Sequence, residues 1–197
     1  MNIAEKLRSG HVRRWHIVAV AREQTIADHM YRVGVIAEEI LRILGLFDWN
    51  NNLTLNTMRW AAIHDRHEYL LGDLPTPGKT AIRNEWGNPG PYADIMDRVA
   101  GAVDPEAEEL RVCVEEGGDC ELAGRIVKFA DLLEAMNYVG IFGVGSHARQ
   151  VWVGLYGDCH KAMVQVAGGL GGPLPNDEQA AALVGLIDKL REGYQWR

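Results

Sequence analysis

The stretch Thr25–Leu44, TIADHMYRVGVIAEEILRIL, decides the fold class by its spacing. Ile26, His29, Val33, Ile36 and Ile40 recur at intervals of three and four, the repeat of one face of an α-helix. Thr25 stands ahead of the run as an N-cap, Asp28 three residues on makes it close to a capping box, and Gly45 stops it. One member of the stripe is out of character. His29 lies among aliphatic residues, so its imidazole points toward the core. A lone histidine in such a place is ordinarily a satisfied core residue, and only partners on other segments would make it a ligand.

The same period continues outward. TLNTMRWAAIHDRHEYLL (54–71) predicts a second helix, ended by Gly72 and the pair Pro75 and Pro77. Residues 77–92 are rich in turn formers and predict a loop, with a third helix at about 93–103. Pro105 opens a fourth helix through Glu116, which GGD breaks, and ELAGRIVKFADLLEAMNYVGIF (121–142) is strongly helical. Residues 147–167 read as helical or mixed because of Gly154 and Gly157. GGLGGPLPND (168–177) reads as a glycine linker, since it lacks the GK[ST] ending of a phosphate loop, and 178–194 as an amphipathic closing helix. With no alternating strand pattern, the expected fold class is all-α, a single-domain helical bundle over 1–197.

Composition narrows the function. The 197 residues are 47% hydrophobic and 24% charged, ordinary for a soluble globular protein. A net charge of -7 argues against a nucleic acid polymer or an anionic membrane as partner. Three cysteines without a CxxC pair read as reduced thiols. The N-terminus lacks the apolar core of a signal peptide, and no apolar run approaches the ~20 residues of a membrane span. The expectation is a cytoplasmic protein.

The chemistry gathers on three helices. His64 and Glu68 are four apart and share a face, with Asp65 beside His64 and Trp60 one turn earlier. Asp131 follows Val127 by four within IVKFADLLEA, on an apolar face where an unpartnered carboxylate costs several kcal/mol. Two imidazoles and two carboxylates directed inward suit one divalent cation such as Zn, Mn, Co or Fe. Three buried polar groups, each hydrogen-bonded privately, fit the spacing equally well.

The set His29, His64-Asp65 and Asp131 resembles the metal site of the HD-domain phosphohydrolases, most closely the bacterial 5'-deoxynucleotidases. Arg14-Trp15 matches their Arg-Trp pair, and Asp28-His29 stands where relatives usually carry Glu-His. The signature HDxxExxxGDLPTP is matched by His64, Asp65, Glu68 and Gly72 to Pro77, and a KxADxL-like helix by Lys128, Asp131 and Leu133. The likeness spans about 11–140; beyond it only general helicity remains, in the helices of 147–194. Small phage enzymes that strip triphosphate from dATP share much of this pattern.

The resemblance implies metal ligands His29, His64, Asp65 and Asp131. It implies Glu68 as the residue that orients or deprotonates water or protonates the leaving 5'-oxygen, with Asp73 the other candidate for that proton, although Asp73 also suits a turn cap. Arg14, Lys79 and Thr76 are the implied phosphate contacts, and Trp15 the surface on which a base stacks. Glu134 and Tyr138, at helical spacing from Asp131, line the pocket, while Asp28 is a cap. The implied activity is removal of phosphate from deoxyribonucleoside 5'-monophosphates. Triphosphate release from dATP in a phage nucleotide pool is the alternative, and a nucleotide-binding module with a structural metal is a third reading. Self-association is a further family expectation.

Overall fold

In the computed structural model, the described residues are 3–73, 75, 101–102, 104–116, 118–169 and 177–192. Their helices, in chain order, are α1 (Ile3–Lys6), a 3-10 turn (Leu7–His11), α2 (Ile26–Ile43), α3 (Asn52–Ile63), α4 (Glu68–Leu71), α5 (Pro105–Glu116), α6 (Gly118–Phe142), α7 (Gly145–Gly168) and α8 (Asp177–Glu192). Among the described residues the only β pairings are two isolated bridges, Arg13 with Thr25 and Val20 with Gly143. The fold is all-α, a single helical domain.

Helix α6 is the axis of the bundle because it is apolar almost all round. Ile126, Phe129, Leu133 and Met136 are buried on one side, Val127 and Ala130 on the next, and Ala135 and Val139 further round. Helices α2, α3, α5, α7 and α8 all pack on it. The common core combines them with Val33, Ile40 and Leu41 of α2, Ala61 of α3, Cys159 and Val166 of α7, and Leu183 and Ile187 of α8. Thr25 caps α2 as expected, its hydroxyl accepting from the Asp28 N–H at 3.1 Å.

Several boundaries differ from the periodic reading. The expected second helix, 54–71, breaks after Ile63. Residues 64–67 form turns in which Arg66 N–H donates to Ile63 O at 3.0 Å and Glu68 N–H to Asp65 O at 3.0 Å. These are bonds of the tighter i→i−3 type, which continue the chain direction without continuing the α-helix. The helix opened by Pro105 ends at Glu116 as expected, but α6 begins at Gly118, ahead of the expected 121, with Asp119 and Glu121 in its first turn, where the helix dipole favours acids. Helix α7 runs unbroken through Gly154 and Gly157, because packing of Ala148, Cys159, Ala162 and Val166 outweighs the low propensity of two glycines.

The loop expected at 77–92 lies outside the described residues. So does most of the helix expected at 93–103, of which Gly101 and Ala102 are helical, and most of the linker at 168–177. The expectation of three reduced thiols is corrected for two of them: Cys113 and Cys120 are disulfide-bonded across a Cα–Cα distance of 5.5 Å. Cys113 on α5 and Cys120 on α6 thus meet, which sequence spacing did not reveal. Cys159 stays free and buried. No helix among the described residues is long and apolar enough to cross a membrane.

Residues 12–25 form an irregular segment tied at both edges. Arg14 N–H donates to Gln24 O and Ile26 N–H to Val12 O, both at 2.9 Å. On the other side Ala21 N–H donates to Phe142 O at 2.7 Å and Val144 N–H to Ala19 O at 2.8 Å. The segment is thus clamped between the start of α2 and the end of α6.

Candidate active site

The four expected ligands arrive from three helices. His29 sits in the first turn of α2 and is 0% exposed. His64 and Asp65 follow the last residue of α3, and Asp131 lies midway along α6. Ligand atoms of His29, His64 and Asp131 all lie within 4.8 Å of one another. Asp65 Oδ2 is 3.5 Å from both His29 Nε2 and His64 Nε2, and Asp131 Oδ1 is 3.3 Å from His29 Nε2. All four residues meet. The tight turn after α3 is held by Arg66, whose guanidinium donates to both carboxylate oxygens of buried Asp104 at 2.6 Å and to Glu106 at 2.8 Å.

The donor pattern suits a cation. His64 Nδ1–H donates to Ala61 O at 3.1 Å and His29 Nδ1–H to Glu134 Oε2 at 2.7 Å, so each ring turns Nε2 toward the centre. Both Nε2 atoms are buried and make no aligned hydrogen bond with the described residues. Burial and Arg14 push the His29 pKa down, yet the close carboxylates of Asp131, Asp65 and Glu134 prevail and raise it to about 10. Its proton thus occupies the position of positive charge among the acids. Burial lowers the His64 pKa and favours the neutral imidazole that binds metals. For Asp65 and Asp131 burial acts upward, but the surrounding cations hold both well below the usual carboxylate range. Two inward imidazole nitrogens and two ionised carboxylates are a set that can hold a borderline divalent ion.

Residues 2–138 match the family described as 5'-deoxynucleotidase YfbR-like, and that span contains all four of these residues. The chain belongs to this family. Two curated relatives of this YfbR-like protein are dATP triphosphohydrolases. That of cyanophage S-2L is 29% identical over 75% of this chain and 74% of its own. That of Salmonella phage PMBT28 is 28% identical over 95% and 89%. A solved structure, the cyanophage S-2L HD phosphohydrolase DatZ bound to dA and one catalytic Zn2+ ion, aligns with a TM-score of 0.70 at 25% identity. It covers 98% of this chain and 97% of its own. The YfbR-like protein is an HD phosphohydrolase.

The other expected site residues fall into groups. Arg14 is nearly enclosed, with Nε and Nη1 buried and without a hydrogen-bond partner among the described residues. Burial works against its charge, but the fields of Asp65, Asp131, Glu134 and Asp73 raise its pKa, so Arg14 and Asp73 border the same acidic centre. Glu68 opens α4 and is 3% exposed. Asp73 is half-buried and follows Gly72, whose φ of 75° is the left-handed conformation that turns the chain there. Trp15 stacks on Tyr138 with centroids 6.0 Å apart and planes 1° from parallel. Asp28 accepts from Arg32 at 3.3 Å. Thr76 and Lys79 lie outside the described residues.

Three further residues join the YfbR-like centre with roles the sequence reading did not assign. Lys128 donates to Asp131 Oδ2 at 2.7 Å, leaving Oδ1 toward His29. Glu134, expected only to line a pocket, bonds His29 directly. Gln24, passed over entirely, is 0% exposed and donates to Glu134 Oε1 at 2.6 Å. A glutamate one turn beyond Asp131 in an otherwise apolar helix was the available clue; for Gln24, just ahead of a helix cap, there was none.

Proposed function

We propose that this HD phosphohydrolase converts dATP and water to deoxyadenosine and inorganic triphosphate. The observation that carries the reading is the extent of the likeness to the dA-bound DatZ structure. It runs through 98% of the chain and includes the C-terminal helices that the family match at 2–138 leaves out. Removal of phosphate from a deoxyribonucleoside 5'-monophosphate is the second reading, supported by the family description and by the HDxxExxxGDLPTP run.

In this proposal His29, His64, Asp65 and Asp131 hold one divalent ion, of which zinc has the support of the neighbour's bound ion. When bound, the ion polarises a phosphoryl oxygen and eases deprotonation of water. Glu68 orients that water and takes its proton, and Asp73 returns a proton to the departing 5'-oxygen. Arg14 is the anion clamp. Its buried Nε and Nη1, without a hydrogen-bond partner among the described residues, are donors that a phosphate oxygen would satisfy. Thr76 and Lys79 remain proposed phosphate contacts and the Trp15 ring a proposed contact for the base. The reading includes a cytoplasmic setting and a homo-oligomer, for which exposed Tyr31 and Val35, one turn apart on α2, offer apolar surface.

Incubation of the zinc-loaded protein with dATP, dAMP and their ribose counterparts, with anion-exchange separation of products, tests the proposal. Triphosphate and deoxyadenosine in equal amounts from dATP are expected. Orthophosphate from dAMP, with dATP untouched, would replace the first reading with the second.

A further inference from the structure

Beside the metal ligands lies a buried hydrogen-bond chain that no catalytic role above employs. Trp15 Nε1–H donates to Gln24 Oε1 at 2.8 Å, Gln24 Nε2–H donates to Glu134 Oε1 at 2.6 Å, and Glu134 Oε2 accepts from His29 Nδ1–H at 2.7 Å. Gln24, Glu134 and His29 are 0%, 1% and 0% exposed. From this we propose that Trp15 and Gln24 act through Glu134 as positioning residues, fixing which nitrogen of His29 faces the metal and joining the Arg14-Trp15 segment to the ion site.

The direction of every bond follows from one end. An indole nitrogen only donates, so it must meet the oxygen of the Gln24 amide. The amide nitrogen is then left to donate, which requires an acceptor at Glu134 Oε1. The other carboxylate oxygen is an acceptor as well and claims the proton on His29 Nδ1. Nε2 is thereby the nitrogen available to a cation. The two inner links are out of water, where a misdirected donor or acceptor costs most, and the outer one at Trp15 is half-buried, so the pattern is held cooperatively.

The same residues reach the substrate side. Gln24 O accepts the Arg14 N–H at 2.9 Å, and Glu134 Oε2 stands 3.8 Å from Arg14 Nη1. Trp15 adopts φ 69°, a left-handed conformation that costs a non-glycine residue about 1–2 kcal/mol. Its indole bond and its stacking on Tyr138 oppose that strain. The Tyr138 hydroxyl in turn donates to Arg22 O. Asp131, Glu134 and Tyr138, at i, i+3 and i+7 on α6, thus present a ligand, a link and a platform along one face.

The inference rests on the proposed metal site but not on the identity of the substrate, so its test reads zinc alone. Metal-stripped variants are titrated with Zn2+ against a competing chelator, and urea unfolding is followed in parallel. Glu134→Gln and Gln24→Glu each break the donor–acceptor order, and each is expected to weaken zinc binding by about 10–100-fold. The double variant restores the order with the charge moved one link along. A carboxylate at position 24 accepts from Trp15 and from the new amide at position 134, whose oxygen still accepts from His29. The double variant is expected to recover most of the lost affinity. Trp15→Phe removes the terminal N–H, with part of the ring stacked on Tyr138, but leaves the charges in place, and is expected to weaken zinc binding by a smaller factor, an arm that stands if a single charge variant fails to fold. Wild-type affinity in all the folded single variants, or losses that multiply in the double variant, would overturn the inference. Failure of the unmodified protein to bind zinc would overturn the metal site itself.

Discussion

Asp65 is the residue on which the centre converges, since one of its oxygens lies 3.5 Å from both inward-facing imidazole nitrogens. Asp65→Ala removes a proposed ligand and a charge that would balance the ion, so loss of both bound metal and turnover is expected, read by metal analysis beside activity. Glu68 is buried and belongs to the next helix, α4, with its proposed task on water and not on the ion. Glu68→Gln is therefore expected to keep its metal content while turnover falls by about 10²–10⁴-fold, the range for a removed general base. Full activity in Asp65→Ala, or metal loss in Glu68→Gln, would reverse these assignments. Both residues were legible from the signature in which they stand. Gln24 was not, because a buried amide gains importance only from what meets it, and Glu134 meets it from 110 positions away.

Among the elements, α6 carries Asp131 and Glu134 at its middle and ends at the corner that holds residues 12–25. Gly143 N–H donates to Val139 O at 2.7 Å, and a Cβ on Gly143 would meet that carbonyl oxygen at 2.4 Å and the Ala148 Cβ at 2.9 Å. Residues 12–25 hang on this corner through Phe142, Gly143 and Val144. Gly143→Ala is expected to destabilise the protein by about 1–3 kcal/mol, the usual cost of overpacking, as a lower urea midpoint. A midpoint equal to that of the parent protein would show that the corner relaxes freely. The tight turn after α3 has a comparable role. Because the α-helix stops at Ile63, His64 and Asp65 lie in a segment whose direction depends on Arg66 gripping Asp104 at the start of α5. Helical periodicity predicted that His64 and Glu68 share one continuous helix, and only the partner across 38 positions explains why they do not.

At the scale of the whole molecule, the bundle concentrates like charge. Asp65, Asp131 and Glu134 all approach His29, leaving a protonated imidazole, Arg14 and Lys128 to balance them. A divalent ion at this point should stabilise the fold as well as the reaction. At a free concentration of one hundred times its dissociation constant, zinc contributes about 2.7 kcal/mol. That corresponds to a rise in Tm of about 5–10 °C for a chain of this size, measurable by calorimetry and abolished by a chelator. An unchanged Tm would mean that the ion binds folded and unfolded chains alike. The sequence by itself determined the helical class, the core stripes, the cap at Thr25 and the four candidate ligands, since periodicity and short motifs are local properties that neighbouring residues carry together. The tertiary structure alone decided where helices break or persist, that Cys113 meets Cys120, and that Trp15, Gln24 and Glu134 form one chain behind His29. Those outcomes depend on contacts between distant segments, whose energies exceed local propensity once water is excluded.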